Sequence, residues 1–506
     1  MVLPTHLGGR LDSKTAILSV LCKKWPLSAK EIYLGVKDSC GLNMSYQGVH
    51  KVVCQLRAEG ILVEHDRKYA LSDGWIEDLK KFADAIERGY LKTRKEPHIE
   101  IGSGSSVERN AFAAGREAAE KAARQIHVNK DYRLALVFAS ITYENDFGEL
   151  VKGIKSITGG APLVGCSPMS GEINNRSLNK SVVVVIFSGK KENFQAKILG
   201  IKVGDEYYKR RCEKVVSKIK AFKKQDKFDC GIVFLPGFTK RNAMREGEAA
   251  TAFVEKWNRI MKRELPLVGC VAGDEWRFEK TWTFCGNKVD DSSIVFVGVR
   301  TEAKVALGIE HAYMPIDKRE YAVHTENGEI TKFSLDKTRP RPATEVYSKV
   351  AKISRRELEK IIPSFIKEAI SQNKNPPLGK KDSFLLAWPV LTSGTKMRFE
   401  TDFKTGEKVL FMRTTPKKLV ETSFATLRTT IRKAGIQKIY GALVFPCGVF
   451  DLILASTPHE IDYLKKKKEF ADIPLFGCYA AGEIGVGKDG SCVRGNGTFA
   501  TLVFGA

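Results

Sequence analysis

The sequence predicts a mixed α/β protein: a small N-terminal domain of three helices and a hairpin, then a larger region of repeated strand-helix-strand units. Three observations carry this. The pentapeptide PLVGC occurs at Pro162–Cys166 and Pro266–Cys270, and PLFGC follows at Pro474–Cys478. Each copy closes a stretch that reads as apolar strand, helix, apolar strand. The first 75 residues have another texture, with apolar residues at helical spacing followed by two short alternating runs.

The bulk numbers fit this class. A chain of 506 residues holds roughly three to five domains' worth of mass. Its 43% hydrophobic and 28% charged residues are ordinary for a globular protein. The longest pure apolar run, Val182–Phe187, is too short to span a bilayer. The N-terminus lacks a basic-then-apolar signal pattern. The 11 cysteines are scattered, with no C-x-x-C pair and no zinc spacing. These features imply a reducing, cytoplasmic setting, no membrane, no metal, and cysteines that serve as small buried hydrophobes. The net charge of +24 is spread out: residues 1–97 carry 16 Lys/Arg against 12 Asp/Glu, and the rest 67 against 47. A spread surplus suits a solvated lysine surface as well as an anionic partner.

Along the N-terminal segment, Ile17, Leu18 and Leu21 stand at helical spacing behind an Asp/Ser cap. The next helix opens with a capping box, Ser28 and Glu31. In the third, Val49, Val52, Val53 and Leu56 form one stripe and Gly60 supplies the stop. Residues 61–72 then read as two strands about a polar turn, His65–Lys68. Three helices and a hairpin are the order of a winged helix-turn-helix, here residues 1–74, and Leu56–Ser72 resembles the winged helices of prokaryotic, especially archaeal, transcription regulators. The expected partner is double-stranded DNA. Ser45, Tyr46, Gln47, His50 and Lys51 lie off the apolar stripe, and Arg67 and Lys68 sit at the wing tip. Bases would be read by Gln47 and its neighbours, and phosphates held by Lys51, Arg67 and Lys68. Residues 75–106 read as a connecting helix and a linker. Trp75, Leu79, Phe82, Ile86 and Tyr90 make a long apolar seam, either packed on the winged helix or pairing two copies as a homodimer; Lys95–Ser106 is Pro/Gly/Ser-rich.

From residue 107 the repeated units begin. The first two pentapeptides start 104 residues apart and the third 208 further on. The doubling suggests four ancestral units, with the motif lost from one and Asn375–Gly379 as its remnant. Runs such as SVVVVIFSG and SSIVFVGVR between the units read as antiparallel strands.

The segments PLVGCSPMSGEI, PLVGCVAGDEWRFEKTWTFCGNKV, HTENGEITKFSLD and PLFGCYAAGEIG with GNGTFATLVF, in this order, resemble the FIST family. The resemblance spans residues 107–505 and implies an N-type half over 107–310 and a C-type half over 311–506. It implies signal transduction by a module that binds a small ligand, amino acids being the usual suggestion. Some relatives resemble haem-based gas sensors, and eukaryotic relatives carry an F-box in place of a winged helix. One departure stands out: the first motif carries an extra residue before Gly171, which puts the aim of Glu172 in doubt.

Within the repeated loop, a strand ending in Gly lets a ligand approach the backbone, and a second Gly with positive φ lets N–H groups cradle an anion. The acid that follows, Glu172, Asp274 or Glu483, accepts from an ammonium, and Arg277 clamps a carboxylate. Cys166, Ser167, Glu172, Gly269, Cys270, Asp274, Arg277, Cys478 and Glu483 are therefore the candidate ligand-binding residues, suited to a zwitterionic amino acid. The competing reading is tight packing of helix on sheet, with the acid capping a turn. No His stands near the three cysteines in sequence, so a thiol nucleophile is not expected and the chain reads as no enzyme. His311 is read as structural, a haem ligand being the alternative, and no cofactor is expected. The sum is a ligand-responsive transcription regulator; the alternative is a signalling scaffold whose winged helix docks a protein.

Overall fold

Hydrogen-bond accounting at the helix ends organises the N-terminal part. The side chain of Asp12 accepts from Thr15 N–H at 2.7 Å and starts the helix Ser13–Leu21. Ser28 and Glu31 form the reciprocal box that starts Ala29–Cys40. Ser45 caps Tyr46–Ala58 by accepting from Gly48 N–H at 3.1 Å. Val49, Val53 and Leu56 are fully buried against Ile17, Leu21, Ile32 and Val36. Strands β1 (Leu27–Ser28), β2 (Leu62–His65) and β3 (Lys68–Leu71) form one antiparallel sheet in the order β1-β3-β2. The β2–β3 turn has Asp66 and Arg67 at φ 51° and 61°, a mirror-image turn that matches the strand twist. Residues 73–81 are helical, and Trp75 and Ile76 pack on this core. The rest of the expected seam, Phe82, Ile86 and Tyr90, lies outside the described residues. The structure, a computed structural model, describes residues 12–40, 44–81, 99–128, 130–203, 208–237, 246–335, 338–364, 376–380, 385–455 and 459–506. It divides into two units, Met1–Glu96 and Pro97–Ala506.

The second unit is a ring of three repeats. In the first, β4 (Glu100–Ser106) and the helix Ala111–Ala123 precede β5 (Tyr132–Ala139). The helix Phe147–Thr158 leads to the pentapeptide strand β6 (Leu163–Cys166), the hairpin β7 (Glu172–Asn174) and β8 (Ser177–Leu178), and the return strand β9 (Val182–Ser188). The second repeat runs β10 (Phe194–Lys202), helix Tyr208–Gln225, β11 (Cys230–Leu235), helix Glu246–Met261, β12 (Leu267–Val271), β13 (Thr283–Cys285), β14 (Lys288–Asp290) and β15 (Ser293–Thr301). The third opens with β16 (Lys304–His311). Nine short strands, β17–β25, lie between Met314 and Arg413 among the described residues. The third repeat then resumes with the helix Pro416–Lys433, β26 (Ile439–Pro446), helices Gly448–Leu454 and Glu460–Lys466, β27 (Leu475–Cys478), β28 (Gly482–Val486), β29 (Cys492–Gly495) and β30 (Thr498–Gly505).

The three six-stranded sheets have equivalent orders: β14-β13-β6-β5-β9-β4, β29-β28-β12-β11-β15-β10 and β8-β7-β27-β26-β30-β16. Each hairpin after a pentapeptide strand leaves its own sheet. It pairs with the pentapeptide strand of another repeat: β13 with β6, β28 with β12, β7 with β27. The exchange is cyclic and closes the ring. The inner faces of the sheets meet in one core, where Phe138, Phe234 and Phe445, each from an equivalent strand, pack edge to face with centroids 6.0–6.2 Å apart. The outer faces are covered by the helices of each repeat.

Two expectations are corrected. There is no fourth unit among the described residues. The doubled spacing comes from the insertion of β17–β25, an antiparallel sheet with its own core around Tyr321, Phe333, Tyr347 and Phe411. Leu378–Gly379 is a two-residue strand of that insertion. The Gly/Ser-rich stretch before Ser106 is also no linker: residues 100–106 form β4, paired with β9 along its whole length. A β-carbon at Gly102 or Gly104 would lie 2.1 Å from the carbonyl oxygens of Ala122 and Ala118, so the composition reflects a helix lying close on a strand. No helix among the described residues is long and apolar enough to cross a membrane.

The pentapeptide glycine has one role in all three copies. A β-carbon on Gly165, Gly269 or Gly477 would stand 1.7, 1.9 and 1.9 Å from the carbonyl oxygens of Val137, Val233 and Val444. The parallel ladder leaves no room for it. Gly269→Ala is therefore expected to lower the stability of the full chain by ~3 kcal/mol or more, read from the denaturant midpoint. Gly148→Ala, in a helix with nothing within 4 Å of the new carbon, is expected to be neutral or stabilising by up to ~1 kcal/mol.

Candidate functional site

The strand exchange brings the three pentapeptide cysteines together. Cys166, Cys270 and Cys478 are fully buried on the inner faces, and their sulfurs all lie within 4.8 Å of one another. The Cys166 and Cys270 sulfurs are 3.5 Å apart. Burial pushes the Cys270 and Cys478 thiols well up. Burial works against the Cys166 thiolate too, but hydrogen bonds from Cys270 and Cys478 outweigh it and draw that thiol down.

Directly across the exchanged ladders stand Thr283 opposite Cys166, Glu483 opposite Cys270 and Glu172 opposite Cys478. This register corrects the sequence alignment of the loops. The position equivalent to Glu172 and Glu483 in the middle copy is Thr283, because the middle loop is longer than the other two. The extra residue before Gly171 is absorbed in its loop, and Glu172 keeps the register that Glu483 has. Glu172 accepts from Ser181 Oγ at 2.7 Å, and Glu483 from Thr498 Oγ1 at 2.7 Å and its N–H at 3.2 Å. Both are fully buried. Burial raises Glu172 well above the usual carboxyl range, and raises Glu483 to about 8, which favours its neutral form at pH 7.

Asp274 and Arg277 are each engaged by other groups of the chain. The Asp274 carboxylate accepts from the N–H groups of Phe278, Glu279 and Lys280 at 2.9, 2.6 and 3.0 Å, and so folds its own loop. Arg277 pairs with Glu144 at 3.1 Å at the surface. The expected anion cradle is not formed. Gly171, Gly273 and Gly482 do not have positive φ. The loop N–H groups bond other loops: Gly273 to Ser167 O, Met169 to Tyr479 O, Tyr479 to Gly171 O, and Ala481 to Val271 O. Ser167 Oγ donates to Gly273 O at 2.6 Å and accepts from Trp282 N–H at 2.9 Å. Gly269 has the packing role described above. These residues stitch the loops together.

A polar cluster escaped the sequence reading. The Tyr479 hydroxyl lies 2.6 Å from Ser177 Oγ and 3.4 Å from Glu460 Oε2. His459 Nδ1 is 3.5 Å from Asp451 Oδ1, and its ring centroid is 6.0 Å from that of Tyr479. Glu460 is fully buried, its Oε1 has no hydrogen-bond partner among the described residues, and burial raises it to about 8. Ser177 and Tyr479 are 302 positions apart, so no local pattern joins them; only the position of Tyr479 directly after PLFGC points at the cluster. His311 has its Nδ1 beside the backbone carbonyl (2.9 Å) and N–H (3.3 Å) of Tyr313, its Nε2 is buried with no partner among the described residues, and burial draws it down to about 4.

In the N-terminal unit, the exposed Ser45 hydroxyl caps its helix by accepting from Gly48 N–H. Tyr46, Gln47, His50 and Lys51 are exposed on that helix, and Arg67 and Lys68 at the hairpin turn.

The buried acids make stability depend on pH with a definite sign. Glu460 binds its proton more tightly folded, at about 8, than unfolded, near 4.5. Its contribution is complete below 4.5 and is lost as pH rises towards 8. Glu460→Gln, which stays neutral, is therefore expected to gain ~1–3 kcal/mol more relative to wild type at pH 8 than at pH 4.5. Thermal melts of both chains at the two pH values check this.

The solved structures that the chain matches include a cyanuric acid hydrolase from A. caulinodans, at 10% identity over 41% of this chain and 73% of that one, TM-score 0.23. They also include a second cyanuric acid hydrolase, at 8% identity over 80% of this chain and 99% of that one, TM-score 0.32. The expectation that the chain is no enzyme is corrected here, because these matched structures are hydrolases. At such identities and TM-scores the likeness assigns no reaction, substrate or catalytic residue. No curated protein matches the chain. Residues 133–333 match the FIST N domain and residues 343–486 the FIST C domain. These two matches together take in more than half of the chain, which belongs to the FIST family.

Proposed function

We propose that the chain is a ligand-responsive DNA-binding transcription regulator, in which the FIST ring senses a small metabolite and the N-terminal unit is a winged helix-turn-helix. The observation that carries this reading is the N-terminal surface. The order helix, strand, helix, helix, hairpin is that of a winged helix, and its third helix leaves Tyr46, Gln47, His50 and Lys51 in solvent. The hairpin turn adds Arg67 and Lys68, two cations held by a tight two-residue turn. Gln47 and Lys51 stand one helical turn apart, a spacing that serves a base edge and a phosphate together. The FIST N and FIST C domains support a sensory role for the larger unit. A ligand shifts DNA affinity only by its differential affinity for two states of the chain.

A mobility-shift titration of the full chain on the DNA upstream of its own coding sequence, at two salt concentrations, tests the reading. Binding is expected to weaken steeply with salt, because phosphate contacts release counterions. An Arg67→Glu/Lys68→Glu variant is expected to bind at least ~10-fold more weakly. Equal binding by the variant, or none by either protein, would transfer the role of this unit to docking a protein partner. An amino-acid panel added to the binding reaction then looks for the ligand that moves the curve.

A further inference from the structure

The sulfurs at the centre of the ring come from three separate repeats, and the layer they occupy differs from its neighbour. Two positions earlier on the same strands, the inward residues are Val164, Val268 and Phe476, hydrocarbon of unequal size. At the next inward position all three repeats place the same group, and the three thiols converge.

The spacing suits an ion. A metal bound to thiolate sulfur at ~2.3 Å, in the plane of three such donors, holds them ~4.0 Å apart. The shortest observed separation is 3.5 Å and the whole trio lies within 4.8 Å. The donor set is three sulfurs, and among the described residues no His, Asp or Glu atom joins the group. The sulfurs are closed off from solvent: Phe138, Phe234, Phe445 and aliphatic side chains share their core, and Thr283, Glu483 and Glu172 stand across the ladders from Cys166, Cys270 and Cys478, all three buried. Thiolates select soft metals. A structural zinc ion takes four ligands in a tetrahedron, and this site offers three. A monovalent d10 ion is satisfied by three thiolates and needs no water.

We propose that Cys166, Cys270 and Cys478 form a three-coordinate, all-thiolate site for Cu(I) on the axis that joins the repeats. The ion carries no new bond-making chemistry in this proposal. Each thiol that ligates it gives its proton to solvent, and the ion enters as the three strands come together, because the finished site is closed. One ion then ties all three repeats to each other at a single point.

The test uses the full chain, produced with and without added copper, kept reduced and anaerobic, and titrated with Cu(I) against the chromogenic chelator bicinchoninate. One equivalent per chain is expected to resist the chelator, with X-ray absorption giving three sulfur neighbours at ~2.3 Å. Cys166→Ala, Cys270→Ala and Cys478→Ala are each expected to weaken that equivalent at least ~100-fold, in line with the loss of one of three ligands. A Cys22→Ser/Cys54→Ser variant, altered only in the N-terminal unit, is expected to keep it. Circular dichroism establishes folding, and Cys270→Val, closer in volume, serves if the alanine variant is unfolded. The proposal is overturned if neither preparation holds a chelator-resistant Cu(I). It is equally overturned if a folded Cys270→Val chain retains one, or if Zn(II) binds there more tightly than Cu(I).

Discussion

The structure depends on one constraint: no pentapeptide strand is paired on both sides within its own repeat. The inner neighbour of each, β5, β11 or β26, is local and parallel. The outer neighbour is always a strand supplied by another repeat. An unpaired strand edge at that place would leave backbone donors and acceptors unsatisfied in the buried interior, at a cost per group comparable to a lost hydrogen bond. The ring closes because closure is what satisfies those edges. The packing glycines, the phenylalanine trio and the meeting of the cysteines are geometric results of that closure.

The periodic parts of the fold were legible in the sequence. The capping box at Ser28, the stripe through Val49, Val53 and Leu56, and the threefold recurrence of PLxGC are short-range patterns, and each corresponds to an observed element. What failed were inferences that need long-range pairing. Gly102 and Gly104 signalled a linker by composition, whereas their missing side chains admit a helix. Asp274 matched Glu172 and Glu483 by motif, but the register puts Thr283 in their place. The doubled repeat spacing suggested a lost unit, where an inserted antiparallel sheet fills the gap.

The candidate site shows the same division. The cysteines were read singly as buried strand ends, and each is one. Their convergence follows from the exchange of strands, which no local pattern encodes. The acids were read as charged ligands. In the structure Glu172 and Glu483 are shut into the core beside hydroxyls, and burial raises both, favouring the protonated form of Glu483 at neutral pH. A carboxyl in that state is a hydrogen-bond donor as well as an acceptor and brings no charge to the centre of the ring.

The exchange also bears on how the chain is made. β7 is synthesised with the first repeat, but its partner β27 lies about 300 residues later, where Glu172 meets Cys478. At ~5–20 residues per second, a ribosome needs ~15–60 s to deliver that partner. Throughout that interval the edge of β7 that β27 will take stays open. Contacts of such separation make closure slow compared with local helix formation. The chain thus spends most of its synthesis as an incomplete ring, exposed to pairing with the same edge on a neighbouring nascent chain. Only when β27 takes the edge of β7 is that competition over.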